Sequence, residues 1–146
     1  MIPMTEKKQV VFICTFNSVR SQMAEGILRH LFGDFYEVTS AGVAPAGINP
    51  YAVAVLKEKG IDISGQRSRS VMQFRGKDFD YVVTLCDDAK HKCTIPLKGT
   101  RTIHRPFVSP SEVDEDQEKV MAGFRSLRDE IWRFIEFTFR PLPPDT

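Results

Sequence analysis

The chain has 146 residues, 42% apolar and 27% charged, and carries a formal net charge of +1. That length suits one domain around one core, and the near-neutral balance argues against nucleic acid or another polyanion as partner. No apolar run is long enough to cross a membrane, so no membrane partner is expected. The start, Met1-Ile2-Pro3-Met4-Thr5-Glu6-Lys7-Lys8, lacks the apolar centre of a signal peptide. A cytoplasmic location is therefore expected, where a cysteine is more often reactive than structural.

Val10-Val11-Phe12-Ile13 is a short β-branched and aromatic run, the signature of a buried strand. A helix begins near Ser21, with Met23, Ala24, Ile27, Leu28 and Leu31 on one stripe. Tyr36–Ser40 forms a second strand, closed by Ala41-Gly42. A second helix lies between Asn49 and Gly60, where Asn49 can cap, Pro50 fits the first turn and Gly60 supplies the left-handed stop. A weaker helical segment follows near Ser70–Phe74. Tyr81–Leu85 is a third strand and Arg101–His104 a short fourth. A long helix runs from about Asp116 to Phe139, with Val120, Phe124, Leu127, Ile131, Phe134 and Ile135 at helical spacing. This alternation predicts a single-domain α/β fold over residues 8–140: a four-stranded parallel sheet flanked by helices on both faces, with frayed tails at 1–7 and 141–146. In such sheets the site lies at the carboxyl ends of the strands, where both Cys14 and Cys86 fall.

The loop Cys14-Thr15-Phe16-Asn17-Ser18-Val19-Arg20-Ser21 joins the first strand to the first helix. Backbone N–H groups and the positive end of a helix can converge there on one anion. Arg20 adds a planar fork suited to two oxygens of a tetrahedral oxyanion. The same field favours a thiolate at Cys14, placed to attack phosphorus or arsenic. The plainer alternative is that Cys14 is a small buried hydrophobe at a strand end, but the strand–loop–helix context with Asn17, Ser18 and Ser21 favours the reactive reading. The chain has three cysteines; Cys86 ends the third strand, and Cys93 follows across the polar stretch Asp87-Asp88-Ala89-Lys90-His91-Lys92. A nucleophilic thiolate with two further thiols suggests thiol–disulfide exchange. Burial of Cys86 as a core residue is the plainer alternative. A zinc site from Cys86, His91, Cys93 and His104 lacks the usual paired-ligand spacing, and no metal or other cofactor is expected.

Taken with Ser21-Gln22-Met23-Ala24-Glu25, Ser40-Ala41-Gly42, Gly60-Ile61-Asp62-Ile63-Ser64 and Val83-Thr84-Leu85-Cys86, this loop resembles that of the thioredoxin-coupled arsenate reductases, which share the low-molecular-weight protein tyrosine phosphatase fold. The resemblance runs from Val10 to about Thr138. It implies that Cys14 is the attacking nucleophile, that Arg20 clamps the oxyanion, and that Thr15, Phe16, Asn17, Ser18, Val19 and Ser21 complete the anion loop. Asn17 would shape that loop and Ser21 steady the thiolate. Cys86 and Cys93 would be relay cysteines, with arsenate as substrate and thioredoxin as reductant. Phosphatases of this fold need the loop but not Cys86 and Cys93, so a phosphomonoester phosphatase is the first alternative and a non-catalytic oxyanion-binding or thiol-redox module the second.

The chain departs from the resemblance at Phe16, where the phosphatases usually carry Gly, and at Val19, which replaces a Cys. Phe107-Val108-Ser109-Pro110 puts Ser109 where an Asp general acid is expected, leaving Glu112 and Asp114 as substitutes. Some members hold a potassium ion with Asn, Glu, Ser and Asp. Asn17, Glu25 and Ser40 fit that set, but Arg69 stands in place of the Asp, where its guanidinium either replaces the ion or is simply a solvated loop charge.

Overall fold

The computed structural model describes residues 7–86 and 97–141. The expectations for the tail residues beyond these, for the Asp87–Lys92 stretch and for Cys93 fall outside them. The elements are β1 (Lys8–Cys14), α1 (Arg20–Phe32), β2 (Tyr36–Gly42), α2 (Pro50–Lys57), a 3-10 turn (Val71–Phe74), β3 (Asp78–Thr84), β4 (Lys98–His104) and α3 (Gln117–Phe139). The strands make one parallel sheet in the order β2-β1-β3-β4.

Caps and stops fall where side-chain chemistry places them. Asn49 Oδ1 accepts the N–H groups of Tyr51 and Ala52 at the head of α2, and Gly60 takes φ +77° beyond its end. Asp116 accepts from Glu118 N at the head of α3, and Ser70 accepts from Met72 N at the 3-10 turn. β3 and β4 each begin three residues earlier than their apolar runs. The early residues pair across the sheet, Asp78 with Lys98 and Phe79 with Gly99. Ladder pairing thus overrides the weak strand preference of Asp, Lys and Gly.

Alternation along the strands divides the core. Val10 and Phe12 of β1, with Val83 of β3 and Leu85 just beyond it, face the cluster that holds the buried stripes of α1, α2 and α3. Val11, Ile13, Ala41, Phe79 and Val82 face the other way, where Val71 and Phe74 of the 3-10 turn and Leu97 cover them. Gly26 permits close packing of α1, because a Cβ there would overlap Ile63 Cγ2 and approach Leu56. Residues 20–28 of α1 are all buried, including Arg20, Ser21, Gln22 and Glu25. Their apolar side chains enter the core, while Ser21 and Gln22 turn back to the loop before the helix, Glu25 to Ser40 of β2, and Arg20 to carbonyls beyond β3 and β4. Among the described residues no helix is long and apolar enough to cross a membrane.

Candidate active site

β1 ends at Cys14, which pairs with Gly42 of β2, while Ile13 just before it pairs with Thr84 of β3 and accepts the N–H of Leu85 beyond that strand. Between Cys14 and α1 the chain turns sharply, and Asn17 takes φ +46°. The loop carbonyls are held from outside. Thr15 O accepts Ala44 N at 2.8 Å, Phe16 O accepts Ala46 N at 2.9 Å, and Ser18 O accepts Asn49 N at 3.1 Å. Asn17 O accepts Gln22 Nε2 and Ser68 Oγ, both at 3.0 Å. In a planar trans peptide the N–H points opposite to the C=O. The N–H groups of Phe16, Asn17, Ser18 and Val19 are therefore turned away from these partners, toward the concave side. Val19 supplies no side-chain cap to α1, so the first helical amides add to the same anion-binding field. Gly42 lies directly behind: a Cβ there would come within 2.9 Å of Asn17 N, Asn17 Cβ and Thr15 O.

A hydrogen-bond network fixes the loop from inside, and its proton directions follow from donor counting. Asn17 Oδ1 accepts the backbone N–H of Arg69 at 2.7 Å, which sets the orientation of the amide. Asn17 Nδ2 then donates to Ser21 Oγ at 2.8 Å and to Ser40 Oγ at 2.9 Å. Ser40 passes its own proton to Glu25 Oε1 at 2.6 Å. Ser21 Oγ lies 2.8 Å from the Cys14 sulfur, and its one proton is free to be donated to a thiolate there. A hydroxyl donor at that distance suits a sulfur anion. Asn17, Ser21 and Ser40 are fully buried and Glu25 nearly so.

Arg20 is the first residue of α1 and is buried; its Nη1 donates to Phe107 O at 3.0 Å and Leu85 O at 3.4 Å. The guanidinium thus ties the carboxyl end of β3 to the loop after β4. Cys86 follows that same end and is disulfide-bonded, whereas Cys14 is free. Thr15 Oγ1 reaches Cys86 Sγ at 3.9 Å, which places Cys14 and Cys86 at one edge of the sheet. Cys93 lies outside the described residues, as does His91. His104 shares a 2.6 Å hydrogen bond with Thr84 Oγ1 through Nδ1.

One expectation is revised by the geometry. The guanidinium against Glu25 belongs to Arg29, 2.6 Å from Oε2, and not to Arg69. Arg69 contributes its backbone N–H to Asn17 and turns its side chain to Thr39 Oγ1 at 3.3 Å. Arg29 fits because it lies one helical turn beyond Glu25 on the same face of α1. The segment Gln66–Arg69 is also part of the loop's support, and the sequence did not reveal it. Gln66 Nε2 donates to Gln22 Oε1 at 2.8 Å, Gln22 Nε2 donates to Arg67 O at 2.9 Å, and Ser68 reaches the loop carbonyls. Ser109, Glu112 and Asp114 lie exposed before α3, with Asp114 accepting the N–H of Asp116. The Phe16 side chain stands 53% exposed beside the loop.

A free cysteine inside a strand–loop–helix anion cradle, on a parallel α/β sheet, defines the phosphate-loop class of proteins in which a thiol faces a tetrahedral oxyanion. Residues 9–134 match the low molecular weight phosphotyrosine protein phosphatase family. The chain belongs to that family. It is 42% identical over 130 residues to an arsenate reductase of Halalkalibacterium halodurans, covering 89% of this chain and 94% of the other. It is 43% identical over 126 residues to an arsenate reductase of Bacillus subtilis, covering 86% and 91%. Among solved structures, an arsenate reductase in its oxidized state superposes with a TM-score of 0.75 at 31% identity, over 89% of this chain and 95% of that one. A low molecular weight protein tyrosine phosphatase from T. tengcongensis gives 0.69 at 26% identity, over 89% and 96%. A thioredoxin-dependent arsenate reductase of Corynebacterium glutamicum gives 0.57 at 26% identity, over 92% of this chain and 65% of that one.

Proposed function

We propose that this chain reduces arsenate to arsenite through Cys14, Cys86 and Cys93, with a thioredoxin-type dithiol protein as final reductant. The observation that carries the reading is the placement of Cys14 and Cys86 at the carboxyl ends of neighbouring parallel strands, with Thr15 of the loop reaching the Cys86 sulfur. A phosphatase needs the first thiol and has no use for the second. Arsenate reductases of similar sequence, and a thioredoxin-dependent one of similar fold, support the same reading.

Arsenate is held by the loop N–H groups, and Arg20 leaves the Leu85 and Phe107 carbonyls to grip two of its oxygens. The Cys14 thiolate bonds to arsenic and hydroxide leaves, taking a proton as water. The Cys86 thiolate then attacks the Cys14 sulfur. The S–As bond breaks, its electron pair stays on arsenic, and arsenite departs as a Cys14–Cys86 disulfide forms. Cys93 attacks Cys86, frees Cys14 and leaves a Cys86–Cys93 disulfide for the external dithiol.

Arsenate-dependent oxidation of reduced thioredoxin tests the reading. Cys14→Ser is expected to abolish it, because a hydroxyl is a far weaker nucleophile at neutral pH. Cys86→Ser is expected to bind arsenate without releasing arsenite, and Cys93→Ser to complete one turnover and stall. Full thioredoxin-coupled turnover by Cys93→Ser would remove Cys93 from the relay.

The phosphatase reading is favoured by the family itself, since a phospho-Cys14 would form in the same loop. A positioned acid is worth about 10²–10⁴-fold to departure of an alkoxide or phenolate, and Ser109 stands where that acid is expected. Ser109→Asp should therefore raise aryl phosphatase kcat/KM while changing arsenate reduction much less. Strong phosphatase activity in the unsubstituted chain, indifferent to Ser109→Asp, would favour the phosphatase instead.

A further inference from the structure

The hydrogen bonds behind Cys14 continue past the loop and end on an ion pair that the proposed reaction does not use. From the sulfur they pass through Ser21, Asn17 and Ser40 to Glu25, and from Glu25 Oε2 to Arg29 Nη2 at 2.6 Å. The Glu25 side chain is 3% exposed and that of Arg29 48%. Arg29 is anchored besides by Val38 O at 2.8 Å and Gln66 Oε1 at 2.9 Å.

The carboxylate has a directional role. It takes the Ser40 proton, so Ser40 can only accept from Asn17, which keeps the Asn17 amide turned with its donors to both serines. That orientation leaves the Ser21 proton for the sulfur. Yet a buried carboxylate three side chains from Cys14 also opposes negative charge on that sulfur, and burial strengthens the opposition. We propose that Arg29 is a positioning residue for Cys14: it neutralises Glu25, so that the carboxylate orients the Ser40–Asn17–Ser21 network without opposing an anionic sulfur. The inference rests on Cys14 as nucleophile of the proposed reaction. Arg20 is engaged with the carbonyls of Leu85 and Phe107, and the Arg69 guanidinium with Thr39.

The test is the rate of Cys14 alkylation by iodoacetamide in the intact reduced chain, resolved by peptide mass spectrometry and followed across the neutral pH range. Arg29→Gln is expected to slow it at neutral pH roughly three- to tenfold and to displace its pH profile toward alkaline values. Arg29→Lys, which keeps the charge, is expected to stay within about twofold of the unsubstituted chain. The pair Glu25→Gln with Arg29→Gln removes both charges and is expected to recover much of the lost rate. If Arg29 only braced the fold, the double variant would be at least as slow as the single one. Such a result, or an Arg29→Gln rate equal to that of the unsubstituted chain, overturns the inference. Alkylation needs no arsenate. A chain that fails to reduce arsenate but follows this alkylation order would refute the proposed function and leave the role of Arg29 standing.

Discussion

Asn17 takes a left-handed backbone angle, φ +46°, that side chains seldom adopt, and both polar atoms of its amide are engaged. Asparagine tolerates this conformation better than most residues, and glycine better still. The two contributions of Asn17, backbone angle and network, are separable by substitution. Asn17→Gly keeps the angle and deletes the network, whereas Asn17→Ala deletes the network and strains the backbone by roughly 1–2 kcal/mol. Both should weaken phosphate or arsenate binding by about tenfold or more, since Ser21 and Ser40 lose the donor that directs their protons. Denaturant unfolding should find the alanine variant less stable than the glycine one by about 1 kcal/mol. Equal stabilities would mean that the loop relaxes its angle on substitution, and intact anion binding would mean that the external carbonyl contacts alone shape it.

Helices α2 and α3 are joined by Glu58, which follows α2 and receives Arg125 at 3.0 Å and Arg128 at 2.8 Å. Arg128 also donates to Val55 O at 2.9 Å, placing a cation near the negative end of α2. The hydrogen bond from Arg125 holds the Glu58 carboxyl below its ordinary value; desolvation opposes it, and the hydrogen bond from Arg128 and the charges of both arginines add to the lowering. A folded value below the unfolded one gives stability that is present above the ordinary glutamate range, about pH 4.3, and lost as pH falls through the lower folded value. Glu58→Gln should therefore lower the thermal midpoint at neutral pH, and the gap between variant and parent should close on acidification. A gap that persisted unchanged at low pH would assign the effect to packing. These helices were legible in the sequence because Asn49, Pro50, Gly60 and Asp116 punctuate them and α3 repeats its apolar residues at helical spacing. The anion loop was legible for the same reason: Cys14, Asn17, Arg20 and Ser21 lie within eight positions of one another. The partners of Asn17 and Glu25 were less so. Ser40 was grouped with Asn17 and Glu25 only through the resemblance, the Gln66–Arg69 wrap meets the loop only through the sheet crossover, and Arg29 resembles any surface arginine until the geometry places Glu25 beneath it.

At the scale of the molecule, the four strands run parallel, so the sheet has a chemical end and a structural one. Cys14, Cys86 and Arg20 gather at the carboxyl end. Toward the amino end, Phe139 in the last turn of α3 meets Tyr81 at 5.3 Å, Tyr36 at 5.4 Å, Phe12 at 5.8 Å and Phe134 at 6.4 Å between ring centroids, all in edge-on arrangements. Tyr36 adds a hydrogen bond from its hydroxyl to Phe139 O at 3.0 Å. Burial first, and Tyr81 second, push the Tyr36 hydroxyl above its ordinary value, so it remains protonated and donating at neutral pH. The cluster fastens α3 across β1, β2 and β3 without touching the loop. Phe139→Ala should accordingly cost about 3–5 kcal/mol of stability, as large aromatic truncations in a packed core do. In the fraction that remains folded, the alkylation rate of Cys14 should stay within about twofold of the parent, because the Ser21–Asn17–Ser40–Glu25 network is anchored from α1, β2 and the Gln66–Arg69 wrap rather than from α3. A Cys14 rate that fell in proportion to the lost stability would show instead that β1, which carries Phe12 at its middle and Cys14 at its end, transmits the packing of the amino end to the nucleophile.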